Sequence, residues 1–145
     1  MDVPVPAGLI ASQGLHEAGL RVTQPRLAVY SALQAMGGHR RADEVLNALK
    51  MAGARTSRGS VYNALSALYR AGIVLVADVG AGPAVYEASS RWHHHALCRV
   101  CGEVSDVECI VGARPCLSAG ESWGTVDEAQ VVFRGTCAHC SAKAS

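Results

Sequence analysis

Ser57-Arg58-Gly59-Ser60-Val61-Tyr62-Asn63-Ala64-Leu65-Ser66-Ala67-Leu68-Tyr69-Arg70-Ala71-Gly72-Ile73-Val74-Leu75-Val76 is the stretch on which the fold of the first half of the chain turns. Ser57 can cap a helix whose inward stripe is Val61, Leu65 and Leu68, and Gly72 closes it. Beyond Gly72 the apolar period changes to that of a strand. Ile73 to Val76 is followed by Gly80-Ala81-Gly82-Pro83 and then Val85-Tyr86, the pattern of a β-hairpin with a four-residue tip. Working backwards, Leu27, Tyr30, Leu33 and Met36 recur at helical spacing behind a Thr23 cap and Pro25, and Gly37-Gly38 ends that helix. Another helix starts near Arg41, buries Val45, Leu46 and Leu49, and stops at Gly53. Three helices closed by a hairpin make a winged helix-turn-helix.

The outward stripe of the quoted helix holds Arg58, Tyr62 and Ser66 at i, i+4 and i+8, flanked by Gly59 and Asn63. Arginine grips phosphate or guanine, asparagine pairs with adenine, and a tyrosine hydroxyl bonds phosphate, so the stripe suits a DNA groove. Helix-turn-helix shapes also serve as protein-interaction modules. Charge is uneven along the 145 residues. Although Lys and Arg count 13 against 12 acids, the span from Arg21 to Arg70 carries eight cations and two acids, leaving the remainder net negative. A basic module that meets a polyanion is therefore expected there, Arg21 and Arg26 serving as phosphate clamps. No apolar run approaches the roughly 18 to 20 residues that span a bilayer. The opening Met1-Asp2-Val3-Pro4-Val5-Pro6 lacks the basic start of a secretory signal. A cytoplasmic protein with no membrane partner is the expectation.

All six cysteines lie at or beyond Cys98. In a reducing compartment they point to metal or redox chemistry before a disulfide framework. Cys98-x2-Cys101 and Cys137-x2-Cys140 are two knuckles separated by 35 residues, and four soft sulfurs suit a structural, tetrahedral Zn²⁺. A redox pair and cysteines buried as small hydrophobes are the alternatives. The long insert implies strands at Val104 to Val107 and Val131 to Phe133, with a helix also between the knuckles. His93-His94-His95 precedes the first knuckle. On a strand, His93 and His95 share one face about 7 Å apart while His94 faces the other way. Glu87, Asp106 and Glu108 add carboxylates for a mixed nitrogen and oxygen site that suits Fe²⁺, Mn²⁺, Ni²⁺ or Zn²⁺; a fortuitous polar run is the plain alternative.

Four motifs in order, Arg21-Val22-Thr23-Gln24-Pro25-Arg26, Ser60-Val61-Tyr62-Asn63-Ala64-Leu65 with Ala71-Gly72-Ile73-Val74, the histidine triplet running into Cys98-x2-Cys101-Gly102, and Gly135-Thr136-Cys137-x2-Cys140, resemble the ferric uptake regulator (Fur) family over roughly residues 10 to 141. The resemblance implies an α+β chain: a winged-helix DNA-binding domain over residues 1–87, a hinge over 88–92, and an α/β dimerisation domain with a four-cysteine zinc site over 93–145. It further implies a homodimeric repressor that binds a double-stranded, inverted-repeat operator and takes no small-molecule substrate. The family's regulatory site falls on His39, Glu87, His93, His95 and Asp106, where one Fe²⁺ or Mn²⁺, with Zn²⁺ or Ni²⁺ as alternatives, would fix the DNA module against the dimer module. Only the resemblance lifts His39 above an ordinary loop residue.

A further family site is expected to be absent or weak, because Trp92, Ala113 and Ala129 stand near its ligand positions and only His94 remains, to hydrogen-bond or face solvent. Cys109 and Cys116, in Asp106-Val107-Glu108-Cys109-Ile110-Val111-Gly112-Ala113-Arg114-Pro115-Cys116-Leu117, resemble a segment of the actinobacterial FurA/CatR branch, which implies an oxidative-stress regulator. Both can be buried packing residues, a thiol redox switch or accessory metal ligands. Iron-promoted oxidation of His39 or His93 is a competing way to sense peroxide. An enzyme is not expected. The His-x-Glu of a nucleobase deaminase is lacking, Pro115-Cys116 is not followed by x2-Cys, and a papain-like hydrolase has no support. A metal-storage or zinc-ribbon interaction protein would bind metal without metal-dependent DNA affinity.

Overall fold

The structure is a computed structural model describing residues 7–80, 82–89, 91–112, 116–117, 119–126 and 129–145. The chain divides into two compact units at the Arg91-Trp92 bond.

The first unit opens with α1 (Ala7–Glu17), α2 (Gln24–Met36), α3 (Ala42–Met51) and α4 (Arg58–Arg70). Local chemistry sets the boundaries. The Thr23 hydroxyl accepts the Arg26 N–H at 3.4 Å and the Ser57 hydroxyl accepts the Ser60 N–H at 3.1 Å, each satisfying a donor that the first helical turn leaves orphaned. Glu44 reaches back to accept the Arg41 N–H at 2.8 Å. Gly37, at φ +63°, ends α2 in a conformation that side chains rarely adopt, and its N–H donates to the Leu33 carbonyl at 3.0 Å. Leu15, Val29, Leu33, Val45, Leu46, Leu49, Val61, Leu65 and Leu68 form the buried core. On α2, Val29 and Leu33 go deepest, while Leu27, Tyr30 and Met36 pack around them.

Sequence periodicity had no place for α1. Leu9 and Ile10 are exposed, so the apolar pattern is broken, and only Ala11 and Leu15 point inward at i, i+4. Gly14 permits the packing of α1 on α2: a Cβ there would lie 3.0 Å from the Tyr30 ring.

The wing has three strands, β1 (Arg40–Arg41), β2 (Leu75–Ala77) and β3 (Val85–Glu87), in the order β1-β3-β2. The second strand begins two residues later than the apolar run suggested. Val74 is fully buried in the helical core, so part of that run plugs the end of α4. Because Ala77 pairs with Val85, the connection spans Asp78 to Ala84 and is longer than a four-residue tip; Ala81 lies outside the described residues. Arg41 donates to the Pro83 carbonyl and ties that connection to β1.

The second unit is a small sheet of β4 (His94–Cys98), β5 (Val104–Val107) and β6 (Val132–Gly135), in the order β5-β4-β6, followed by α5 (Ala138–Lys143). β4 runs antiparallel to β5 and parallel to β6. The helix expected between the knuckles is, among the described residues, only a 3₁₀ turn at Glu121–Trp123; the α-helix starts on the second knuckle instead. Among the described residues of this unit only His93, His94, His95, Leu97 and Cys98 are buried, whereas Val100, Ile110, Val111, Leu117, Trp123 and Phe133 are exposed. No helix among the described residues is long and apolar enough to cross a membrane.

Candidate metal centres and nucleic-acid interface

The parallel register Cys98↔Gly135 carries the second knuckle alongside the first. The Cys137 N–H donates to the Cys98 sulfur at 3.3 Å, and the Cys140 N–H donates to the Cys137 sulfur at 3.4 Å. Gly102, at φ +78°, turns the first knuckle and donates its N–H to the Cys98 carbonyl at 2.9 Å. The sulfurs of Cys98, Cys101, Cys137 and Cys140 lie within 4.8 Å of one another, with Cys101 and Cys137 4.0 Å apart. A tetrahedral ion with bonds of about 2.3 Å needs sulfurs about 3.8 Å apart, so the donor set fits Zn²⁺. The protons point the same way. N–H groups of Cys101 and Cys137 aimed at its sulfur lower the Cys98 thiol to about 6. Cys140 is pushed up to about 12, first by its hydrogen bond with Cys137, then by burial and the other two sulfurs. Four thiolates in so small a volume need a dication to balance them, and its uptake must release protons.

Two smaller ligand groups lie one in each unit. In the first, the β1–β3 register Arg40↔Tyr86, extended by one residue, sets His39 opposite Glu87. Their Nε2 and Oε2 atoms are 3.5 Å apart and the side chains only 9% and 15% exposed. In the second, strand alternation puts His93 and His95 on one face of β4, and the register His95↔Asp106 brings the carboxylate to that face. His93 Nε2 lies 3.0 Å from Asp106 Oδ1, and the rings of His93 and His95 are 4.7 Å apart.

The opposite face of β4 carries His94. It is buried, its Nε2 is 3.2 Å from the Cys116 sulfur, and its ring meets Trp92 edge-on at 4.8 Å. Of the two expectations for His94, hydrogen bonding holds and exposure to solvent does not. The Cys109 sulfur joins this pair, all three donor atoms falling within 4.8 Å of one another. Burial pushes the Cys109 thiol up, but the Gly112 and Val111 N–H groups and the Cys116 thiol outweigh it and leave it lowered. Burial and the neighbouring Cys109 raise Cys116. Sequence reasoning singled out each cysteine without joining either to His94. The available signal was alternation, since Cys109 sits two residues beyond Val107, the partner of His94. Ala113 lies outside the described residues.

On α4, Arg58, Tyr62 and Asn63 are all exposed. Arg58 is paired with Asp43 of α3, a surface ion pair that sequence reading missed and that DNA phosphate can displace at little cost. Asn63 and Arg26 line one shallow groove with Thr23, Pro25 and Ser60. Arg26 also donates to the Arg21 carbonyl at 3.0 Å, which draws the two clamp candidates together.

A model of the ferric uptake regulator family matches residues 17–111, from the end of α1 through the wing, the histidine strand and the first knuckle. The chain belongs to the ferric uptake regulator family. The transcriptional regulator FurA of Mycobacterium tuberculosis is 41% identical over 134 residues, covering 90% of this chain and 89% of its own length. Ferric uptake regulation protein 1 of Mycolicibacterium fortuitum is 40% identical over 128 residues, or 87% of this chain and 79% of that one. Among solved structures, the ferric uptake regulator of Pseudomonas aeruginosa with manganese superposes with a TM-score of 0.68 at 27% identity, covering 89% of this chain and 98% of that one. As a member of the ferric uptake regulator family, this chain is a transcriptional regulator.

Proposed function

We propose that the protein is a cytoplasmic, homodimeric repressor, iron- or peroxide-responsive, that reads an inverted-repeat operator when one exchangeable Fe²⁺ or Mn²⁺ is bound, and that it catalyses no reaction. The observation that carries this reading is the pair of preformed ligand groups, His39 with Glu87 and His93 with His95 and Asp106. Three imidazoles and two carboxylates without sulfur form a donor set for borderline divalent ions. Only five residues of sequence separate Glu87 from His93, so a single ion that takes ligands from both groups ties the helical unit to the sheet unit. Zn²⁺ at the four cysteines keeps the second unit folded and does not exchange with the regulatory ion.

The dimer reading is supported by the exposed apolar side chains of the second unit. A unit of this size cannot bury enough surface alone, and a second copy supplies the missing core. Phe133→Asp is expected to shift sedimentation from dimer to monomer at micromolar concentration; an unchanged dimer would remove β6 from the interface.

Two-fold symmetry of the dimer calls for a palindromic site read by two α4 helices. Arg58, Tyr62 and Asn63 are assigned to the groove and Arg21 and Arg26 to phosphates. Tyr62→Ala is expected to weaken operator binding by about 1 to 3 kcal/mol if the ring makes a base contact. A fluorescence-anisotropy titration with no change would take Tyr62 off the interface.

The direct test is DNA binding by anaerobically purified protein with Fe²⁺, Mn²⁺, Ni²⁺ or Zn²⁺ added in turn, before and after peroxide. Tight binding with Fe²⁺ and Mn²⁺, lost from the iron form alone on peroxide treatment, identifies the peroxide responder. Binding restricted to Zn²⁺ or Ni²⁺ replaces this reading with that of a zinc- or nickel-responsive uptake regulator.

A further inference from the structure

We propose that His94, Cys109 and Cys116 form a third cation site that takes a thiophilic dication, Zn²⁺, through one imidazole nitrogen and two sulfurs. The three donor atoms already lie within 4.8 Å of one another, and His94 Nε2 is 3.2 Å from the Cys116 sulfur. A tetrahedral zinc ion with bonds of about 2.0 to 2.3 Å needs donors separated by about 3.5 to 3.8 Å, so the His94–Cys116 pair opens by a few tenths of an ångström and any longer separation closes, adjustments that side-chain rotation supplies.

The site is separate from the other two by construction of the sheet. Alternation along β4 sends His93 and His95 to one face and His94 to the other. The first face gathers nitrogen and oxygen donors with Asp106, and the second gathers nitrogen and sulfur donors with Cys109 and Cys116. Softness therefore sorts the ions, with thiophilic zinc on the second face. Two features argue against mere packing. His94 is 4% exposed, and its ring packs in a T-shaped contact with Trp92 at 4.8 Å, which restrains its rotation. A pair of cysteines that only formed a disulfide would need no imidazole aimed at one of them. Charge selects the oxidation state, since two thiolates and a neutral imidazole around a dication sum to zero, the arrangement that partial burial tolerates best.

Occupation would clip the segment that carries Cys109 and Cys116 onto β4. Three protein ligands leave a fourth position for water, so this zinc exchanges faster than the one held by four cysteines.

The test uses reduced, full-length protein holding one zinc per protomer, titrated with Co²⁺ as a spectroscopic stand-in while zinc content is monitored. With the four-cysteine zinc retained, the proposal expects sulfur-to-cobalt charge-transfer absorption, which a site of imidazoles and carboxylates cannot produce. Cys109→Ser and Cys116→Ser each abolish that absorption without loss of the retained zinc. His94→Ala, which keeps both thiols, weakens Co²⁺ binding at this site at least tenfold, and it serves as the deciding variant if the serine proteins do not fold. Weak ligand-field bands alone in the wild-type protein would overturn the proposal. So would charge-transfer absorption that survives both serine substitutions at constant zinc, or a His94→Ala protein that binds as the wild type does. Failure here leaves the iron or manganese reading untouched, because that reading uses the other face of the strand.

Discussion

Cys98→Ser is expected to strip zinc from the four-sulfur cluster and unfold the second unit while the first stays helical. Cys98 is the buried member of the four and receives an N–H from Cys137 across the junction of the knuckles. Its thiol, lowered to about 6, readily becomes a thiolate, so the substitution removes a ready metal ligand. Structural zinc contributes about 10 to 16 kcal/mol in small domains, and the second unit has little else. Among its described residues only Leu97 and Cys98 are buried apart from the three histidines. The first unit has an independent core of Leu15, Val29, Leu33, Val45, Leu65 and Leu68. Zinc content per protomer should fall to near zero, and limited proteolysis should leave a helical fragment ending near Arg91. Undiminished zinc with intact dimers would mean that the four sulfurs do not hold the ion.

His93→Ala is expected to abolish the gain in DNA affinity that the regulatory ion confers, leaving metal-free binding and cluster zinc unchanged. His93 is buried and its Nε2 sits 3.0 Å from Asp106. Its removal takes away one imidazole and releases the carboxylate that it orients. Coupling between an effector site and a DNA site is typically about 1 to 3 kcal/mol, or 5- to 150-fold. The variant should therefore bind DNA at the same affinity with and without Mn²⁺, where the wild type gains within that range. A variant that still gains in full would remove His93 from the regulatory set. Cluster zinc serves as the folding control, because its ligands, Cys98 at the end of β4 and three cysteines beyond that strand, are untouched by the substitution.

Much of the first unit was legible in sequence because its signals are local. Thr23 and Ser57 cap helices through their own hydroxyls, and Gly37 and Gly72 stop helices through their own backbone angles. The cysteine knuckles were equally plain, since each pair of ligands lies within one turn. What the residues' own local signals did not show depends on contacts between distant segments, and for His39 the family resemblance stood in for them. His39 in a Gly-Gly-His loop has no local mark, and it meets Glu87 only because β1 pairs with β3 in one register. α1 was hidden because exposed Leu9 and Ile10 blur its stripe. The union of His94 with Cys109 and Cys116 required knowing which face of β4 each neighbour joins, and a slip of one residue would have reversed the answer.

Coupling of the DNA-reading helices to the paired core by one exchangeable ion must be reciprocal. The zinc-loaded protein selects a duplex from a random-sequence library in the presence of Mn²⁺. The Mn²⁺ affinity is then measured with and without that duplex, and the duplex affinity with and without Mn²⁺. Both ratios are expected to exceed fivefold and to agree with each other, and both to collapse to unity in His93→Ala. Selection of no duplex, or a duplex affinity indifferent to Mn²⁺, would contradict it.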